Sequence, residues 1–268
     1  MKHLTFTLII LLSLGVALAK SGAQPKSEVS TAAARTGASP DEQDEIRKTY
    51  QLNPGARVRV SGINGPVTIE TTSGTTAEVY IERTARNRED LEYHKITIDV
   101  SADHLTIRGE NEEEGQRSRN RNVHHRVNLK LPARIDLAVS GVNGPVNVAE
   151  IEGKAEVSGI NGSVNFAQAA TFSNISGING KVTVGMSRIG EGGLHISGIN
   201  GTVECRISEA VNADLRTSGV NGGVHVDLAR VTVEGEMTRN RMNAKIGEGG
   251  PPITVSGING GVHFKPMN

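Results

Sequence analysis

The sequence predicts an all-β solenoid with three short sides per turn, and three observations lead there. The phrase Ser-Gly-Ile/Val-Asn-Gly occurs seven times, beginning at Ser61, Ser140, Ser158, Ser176, Ser197, Ser218 and Ser256, and a fixed period marks stacked supersecondary units. Each copy is followed, after one variable residue, by an apolar-polar-apolar triplet, from Val67-Thr68-Ile69 to Val262-His263-Phe264. That is the period-two pattern of a half-buried strand. Aromatic residues make up only 3% of the chain, with no Trp, so Val, Ile, Leu and Ala must build the core, and the β-branched ones favour strands.

In chain order, residues 1–19 read as a secretory signal peptide. Met1-Lys2-His3 is a short positive region, Leu4 to Val16 is apolar, and Ala17-Leu18-Ala19 is a small-residue cleavage pattern. The apolar run is shorter than the ~20 residues a spanning helix needs, and no later segment is apolar enough to span a membrane. Residues 20–45, rich in Ser, Ala, Gly, Gln and Thr, offer too little apolar surface to offset ordering entropy and read as a disordered linker. A helical turn is expected over Glu45 to Gln51, and Asn53-Pro54-Gly55 is a turn signal.

Residues 46–135 hold the first repeat and a divergent insert or cap. No copy of the phrase lies between Ser61 and Ser140, yet alternation predicts strands at Val79/Ile81, Ile96/Ile98/Val100, Leu105/Ile107 and Val127/Leu129/Leu131, with a hairpin turn at Ser101-Ala102-Asp103. Asn111 to His125 lacks apolar periodicity and reads as an exposed loop. Residues 136–268 are the regular repeats, at intervals of 18, 18, 21 and 21 residues and then 38. A degenerate copy at Thr238, with Ala244 and Ile246 at apolar positions, is expected to fill that last gap.

The Asn-Gly step fits either a two-residue hairpin turn or a corner that bends one coil onto its next side through left-handed Asn and Gly. The third motif position decides. It is Ile63, Val142, Ile160, Ile178, Ile199, Val220 and Ile258; a hairpin would put all seven on the polar face, whereas a corner lets them point inward. The corner is expected. The motif residues Asn64, Asn143, Asn161, Asn179, Asn200, Asn221 and Asn259 are then structural, stacked at ~4.8 Å in a hydrogen-bonded ladder.

On these repeated Gly-Ile-Asn phrases, Arg57 to Phe264 resembles the bacterial "putative adhesin" β-strand-repeat family and the related "head GIN" adhesin-like family. The resemblance implies a right-handed parallel β-helix and no shared catalytic motif.

The candidate sites lie where the pattern breaks. Arg117, Arg119, Arg121, His124 and His125 read either as an anion-binding loop, for a glycan, lipid or phosphate, or as a solvated loop partnered by Glu112 to Glu114. Arg239 and Arg241 stand where other copies carry Gly and Asn. His225 and His263 share a repeat position and are expected two turns apart, about 10 Å, too far to share a metal ion. Cys205 occupies the position of Ile69, Phe166 and Val226 and reads as a small buried hydrophobe.

The balance of 29 basic and 29 acidic residues argues against a nucleic-acid partner. No paired carboxylates, metal-protease phrase or nucleophile elbow appears, so no catalytic residue, cofactor or metal is expected. The reading that results is an exported, non-enzymatic binding, adhesion-like or scaffold module of the bacterial cell envelope, periplasmic or extracellular. Its expected partner is an envelope protein or glycan, or a second copy meeting an exposed C-terminal solenoid end. An envelope-stress sensing or regulatory module is the alternative, and a polysaccharide lyase or hydrolase the more distant one.

Overall fold

Each repeat places one strand before its motif and one after it, and the two strands enter different sheets. The computed structural model describes residues 41–111, 123–167, 171–235 and 238–267. The motif-flanking pairs are β2 (Ala56–Ile63) with β3 (Val67–Thr72), β8 (Ile135–Val142) with β9 (Val146–Val148), β10 (Lys154–Asn161) with β11 (Val164–Ala167), and β12 (Phe172–Asn179) with β13 (Val182–Met186). They continue with β14 (Leu194–Asn200) and β15 (Val203–Ile207), β16 (Ala213–Val220) and β17 (Val224–Val226), and β20 (Pro252–Asn259) and β21 (Val262–Pro266). The other elements are β1 (Glu42–Gln51), β4 (Thr76–Ala85), α1 (Arg88–Tyr93), β5 (His94–Val100), β6 (His104–Asn111), β7 (His124–Pro132), β18 (Val231–Val233) and β19 (Met242–Ile246).

Among the described residues the molecule is all-β apart from the short helix α1. The pre-motif strands form the sheet β18-β19-β16-β20-β14-β12-β10-β8-β2-β6-β5, and the post-motif strands the sheet β1-β4-β7-β3-β9-β11-β13-β15-β21-β17. Two large sheets therefore replace the three sides expected, because the segments between repeats, such as 149–153, form no strand. Both sheets are mixed. Repeats pair parallel and in register, Ser158 on Ser176 and Ile160 on Ile178, while β1, β4, β5, β18 and β19 run antiparallel.

The motif is a corner between the sheets, as its third position demands: Ile63, Val142, Ile160, Ile178, Ile199, Val220 and Ile258 are each 1% exposed. Two inward residues, Val139 and Val142, are separated by two outward-facing ones, and the break in alternation falls on the first glycine. Gly141 has φ +59°, and its equivalents range from +59° to +68°. The left-handed residue is thus the Gly of Ser-Gly, two residues before the Asn-Gly step expected.

The second glycine is fixed by close approach: a Cβ on Gly180 would lie 2.3 Å from the Gly162 carbonyl oxygen, and one on Gly201 would lie 2.1 Å from that of Gly180. Between the glycines the asparagines form the expected ladder. Each Nδ2 donates to the Oδ1 of the next, Asn259 to Asn200, Asn200 to Asn179, Asn179 to Asn161, Asn161 to Asn143 and Asn143 to Asn64, at 2.9–3.1 Å. Asn64 ends the row by donating to the Val123 carbonyl at 2.8 Å. Asn221 instead joins its neighbour through its backbone N–H, on the Ile258 carbonyl.

The core between the sheets is a set of aliphatic rows. Val139, Val142 and Val146 are at most 1% exposed, and burying each such side chain contributes about 1.5–3 kcal/mol.

Four expectations are corrected. Tyr50 and Ile46 are half-buried along β1, so Glu42–Gln51 is a strand rather than linker and helical turn. The segment after Thr238 is no repeat: β19 pairs antiparallel with β16, which still buries Ala244 and Ile246 because alternation is the same in either direction. The last repeat is also not last in space. β20 lies between β14 and β16, and β21 between β15 and β17. The C-terminal strand is therefore paired on both sides and offers no open end to a second copy. Finally, β6 and β7 stack parallel on β2 and β3, so the insert includes one more tier, one that carries no copy of the motif.

The corner predicts an ordering of stabilities. Asn161→Ala, which removes one accepted and one donated bond at the surface, is expected to cost about 1 kcal/mol. Gly180→Ala, which drives a Cβ into backbone, is expected to cost about 3 kcal/mol or more. Urea unfolding followed by circular dichroism measures both.

Candidate functional site

The post-motif sheet turns two columns of side chains outward, and these build a long concave surface. The first column holds the middle triplet residues, Thr68, Asn147, Asn165, Thr183 and Glu204; the second holds the residues two further on, Glu70, Ala149, Ala167, Gly185 and Arg206. Three consecutive small residues in the second column leave a groove of about 820 Å³. Its length from Glu70 to Arg206 is four strand spacings, roughly 19 Å.

Polar groups are fixed along this groove. Asn165 donates to Asn147 at 2.8 Å, a second asparagine pair on the outer face. Glu204 accepts from Arg206 Nε at 2.8 Å and Lys181 Nζ at 3.0 Å. Those two hydrogen bonds hold its pKa down at about 2. Toward the other end, Thr68 and Glu70 are shared with a second depression of about 780 Å³ lined by Lys130, Asn128 and Tyr80. The Arg47 guanidinium lies 4.6 Å from the Tyr80 ring centroid, a cation-π contact.

The residues singled out from sequence are scattered. Arg117, Arg119 and Arg121 lie outside the described residues. His124 is exposed at the start of β7, but His125 beside it is only 6% exposed. His125 Nδ1 accepts the Asn64 backbone N–H at 3.1 Å, which leaves the proton of the neutral ring on Nε2. Arg83 stands directly opposite on β4, pairs with Asp44, and donates from Nη1 to the carbonyls of Leu91 and His94 at 2.9 Å. Both His125 Nε2 and Arg83 Nε are buried without a hydrogen-bond partner. His125 also borders a hollow of about 340 Å³ with His94, Glu110 and Val123, at the corner where the insert lacks the motif.

Arg239 and Arg241 are exposed in the turn before β19, where Thr238 N–H donates to the Arg241 carbonyl. Cys205 is fully buried, and burial pushes its thiol up to about 12. Among the described residues no group of three or more His, Cys, Asp or Glu is placed to hold a metal ion, and no helix is long and apolar enough to cross a membrane. His225 and His263, expected two turns apart, are adjacent, because the last repeat inserts beside the sixth; their ring centroids are 4.9 Å apart. The groove was missed in the sequence although its signal is there: Ala149, Ala167 and Gly185 follow three consecutive triplets.

No family model matches the chain, and no curated protein matches it. Among solved structures it is similar to a putative cell adhesion protein from Clostridium sporogenes, at 15% identity and TM-score 0.44, over 84% of this chain and 100% of that one. A putative lipid binding protein from Parabacteroides distasonis aligns at 14% identity and TM-score 0.30, over 84% and 96%. A putative adhesin from Parabacteroides merdae aligns at 14% identity and TM-score 0.26, over 82% and 95%.

His125 gives the fold a pH dependence of definite sign. Burial, then the nearby charges of Arg83, His94 and His124, lowers its pKa from 6.5 to about 4. Its contribution is complete above pH 6.5, is lost as pH falls toward 4, and changes no further below that. The shift corresponds to about 3 kcal/mol. Urea unfolding from pH 7 to pH 4 is expected to show that loss in wild type and to lose this component in His125→Gln.

Proposed function

We propose that the protein is an exported, non-enzymatic binding module of the bacterial cell envelope, and that it binds through the groove on the outer face of the post-motif sheet. In this reading the stacked repeats form a right-handed solenoid, the N-terminal leader directs export, and residues after it tether the sheets to their site of action. The observation that carries it is the run Ala149, Ala167, Gly185. Smaller residues at these outward positions add nothing to the core, yet they open a cleft between charged walls at Glu70 and at Arg206 and Lys265.

The polar character of the groove suits an extended, hydrogen-bonding ligand, a glycan chain or an envelope protein segment. The asparagine and threonine column supplies donors and acceptors repeated every ~4.8 Å, matched to a ligand lying across the strands. Catalysis is left out of the reading because the two carboxylates that line the groove do not converge: Glu204, at its Arg206 end, is committed to Arg206 and Lys181, and Glu70 stands at the opposite end, so no pair is set for proton transfer.

Filling the groove tests this. Ala167→Arg places a long cation on its floor, at a partly exposed position, and is expected to change stability by less than about 0.5 kcal/mol. On a glycan array and in pull-downs from envelope extract, wild type is expected to retain ligands that Ala167→Arg loses. Equal retention by both proteins would overturn the groove as the binding site.

A further inference from the structure

His225 and His263 are separated by 38 residues in sequence but are register partners on the parallel strands β17 and β21. Their rings lie 4.9 Å apart and within 14° of parallel, both on the outward face. The residue directly after the motif is Pro66, Pro145, Ser163, Lys181 or Thr202 in five repeats, and Gly223 or Gly261 in the two that carry histidine. This pairing of His with Gly has a geometric result. A Cβ on Gly261 would lie 3.2 Å from His263 Nε2, and one on Gly223 would lie 3.8 Å from His225 Nε2. Both Nε2 edges therefore lie over a glycine; a side chain at 261 would crowd His263 Nε2, and one at 223 would come into van der Waals contact with His225 Nε2.

We propose that His225 and His263 chelate one divalent transition-metal ion of the kind that prefers imidazole, Cu²⁺, Ni²⁺ or Zn²⁺. Imidazole nitrogen binds such ions at about 2.0–2.1 Å, and two rings on neighbouring strands reach one ion by tilting their Nε2 edges together. The Arg239 carbonyl oxygen borders the same space, 4.0 Å from the Cβ position of Gly223. Of the carboxylates nearby, Glu204 is the register partner of His263 on the other side but is held by Arg206 and Lys181, and Asp227 lies two residues beyond His225. Lys265 and Arg239 add positive charge. The site is a two-imidazole chelate completed by water, so its ion exchanges readily.

The placement gives the ion a mechanical role. β17 is an edge strand of three residues, hydrogen-bonded on one side only, and the chelate ties it to the doubly paired β21. A ligand that binds only the folded state stabilises it in proportion to occupancy. This site is independent of ligand binding in the groove.

The test uses the untagged protein, freed of metal and titrated with CuCl₂ or NiCl₂ by calorimetry, with histidine ring signals followed by NMR in the Ni²⁺ or Zn²⁺ titration. Wild type is expected to bind one ion per chain, with the His225 and His263 signals responding together and the unfolding midpoint rising with metal concentration. His225→Gln is expected to weaken binding by more than about tenfold, the loss that even an outer-sphere partner produces. Gly261→Ala, which keeps both imidazoles and crowds one Nε2, is expected to weaken it as well and serves if His225→Gln does not fold. Undiminished affinity in His225→Gln, or a response confined to other histidines, would overturn the proposal.

Discussion

Backbone-to-backbone approach at the motif corner is the constraint on which the other features rest. Where tiers stack, the second glycine of each motif meets the carbonyl of the tier before it, so closely that a Cβ would lie 2.0–2.5 Å from that oxygen at Gly144, Gly162, Gly180, Gly201 and Gly260. Only glycine fits. The asparagine beside it then falls at hydrogen-bonding distance from its equivalent, and the ladder locks the register. With register fixed, each inward Val or Ile meets its own kind in the next tier, and the aliphatic rows close without aromatic residues.

The same constraint decides what the outer face can do. In a register-locked stack, a residue's neighbours are set by repeat position rather than by sequence distance, so chemistry appears as rows. Three small residues in succession become a groove; two histidines in adjacent tiers become a stacked pair. Where the motif is missing, between β6 and β7, the row ends instead in polar groups, with His125 and Arg83 facing inward and each holding a buried N–H without an acceptor. Unsatisfied groups of this kind cost about 1–3 kcal/mol apiece; the regular corners end on an asparagine instead, and the third such buried atom among the described residues is Thr217 Oγ1 on β16.

Much of this was legible in the sequence because it is periodic. The inward Ile of the motif, the alternating triplets, the asparagine ladder and the strands of the insert all follow from spacing and residue type. The spatial order of the tiers does not. β14 meets Ser, an inward Ile or Val, and Asn at the same positions whether its neighbour is β16 or β20, so the motif specifies register and leaves the choice of partner to the connections. That is why the 38-residue gap suggested another repeat and why His225 and His263 looked distant. The direction of β19 was hidden for a related reason, since Ala244 and Ile246 alternate identically in a parallel or an antiparallel strand. The groove escaped because it is made by small side chains on the polar face, where only charge and chemistry had been sought.

The order of tiers is the claim from which the adjacency of the two histidines and the closed C-terminal strand both follow, and disulfide trapping addresses it directly. In a background where the buried Cys205 is replaced by Val, Ser197→Cys with Ser256→Cys places thiols on register partners of β14 and β20, within the Cα separation a disulfide spans. Mild oxidation is expected to join that pair and to leave Ser197→Cys with Ser218→Cys unjoined, because a whole tier separates β14 from β16. Efficient trapping of the second pair and not the first would contradict the account.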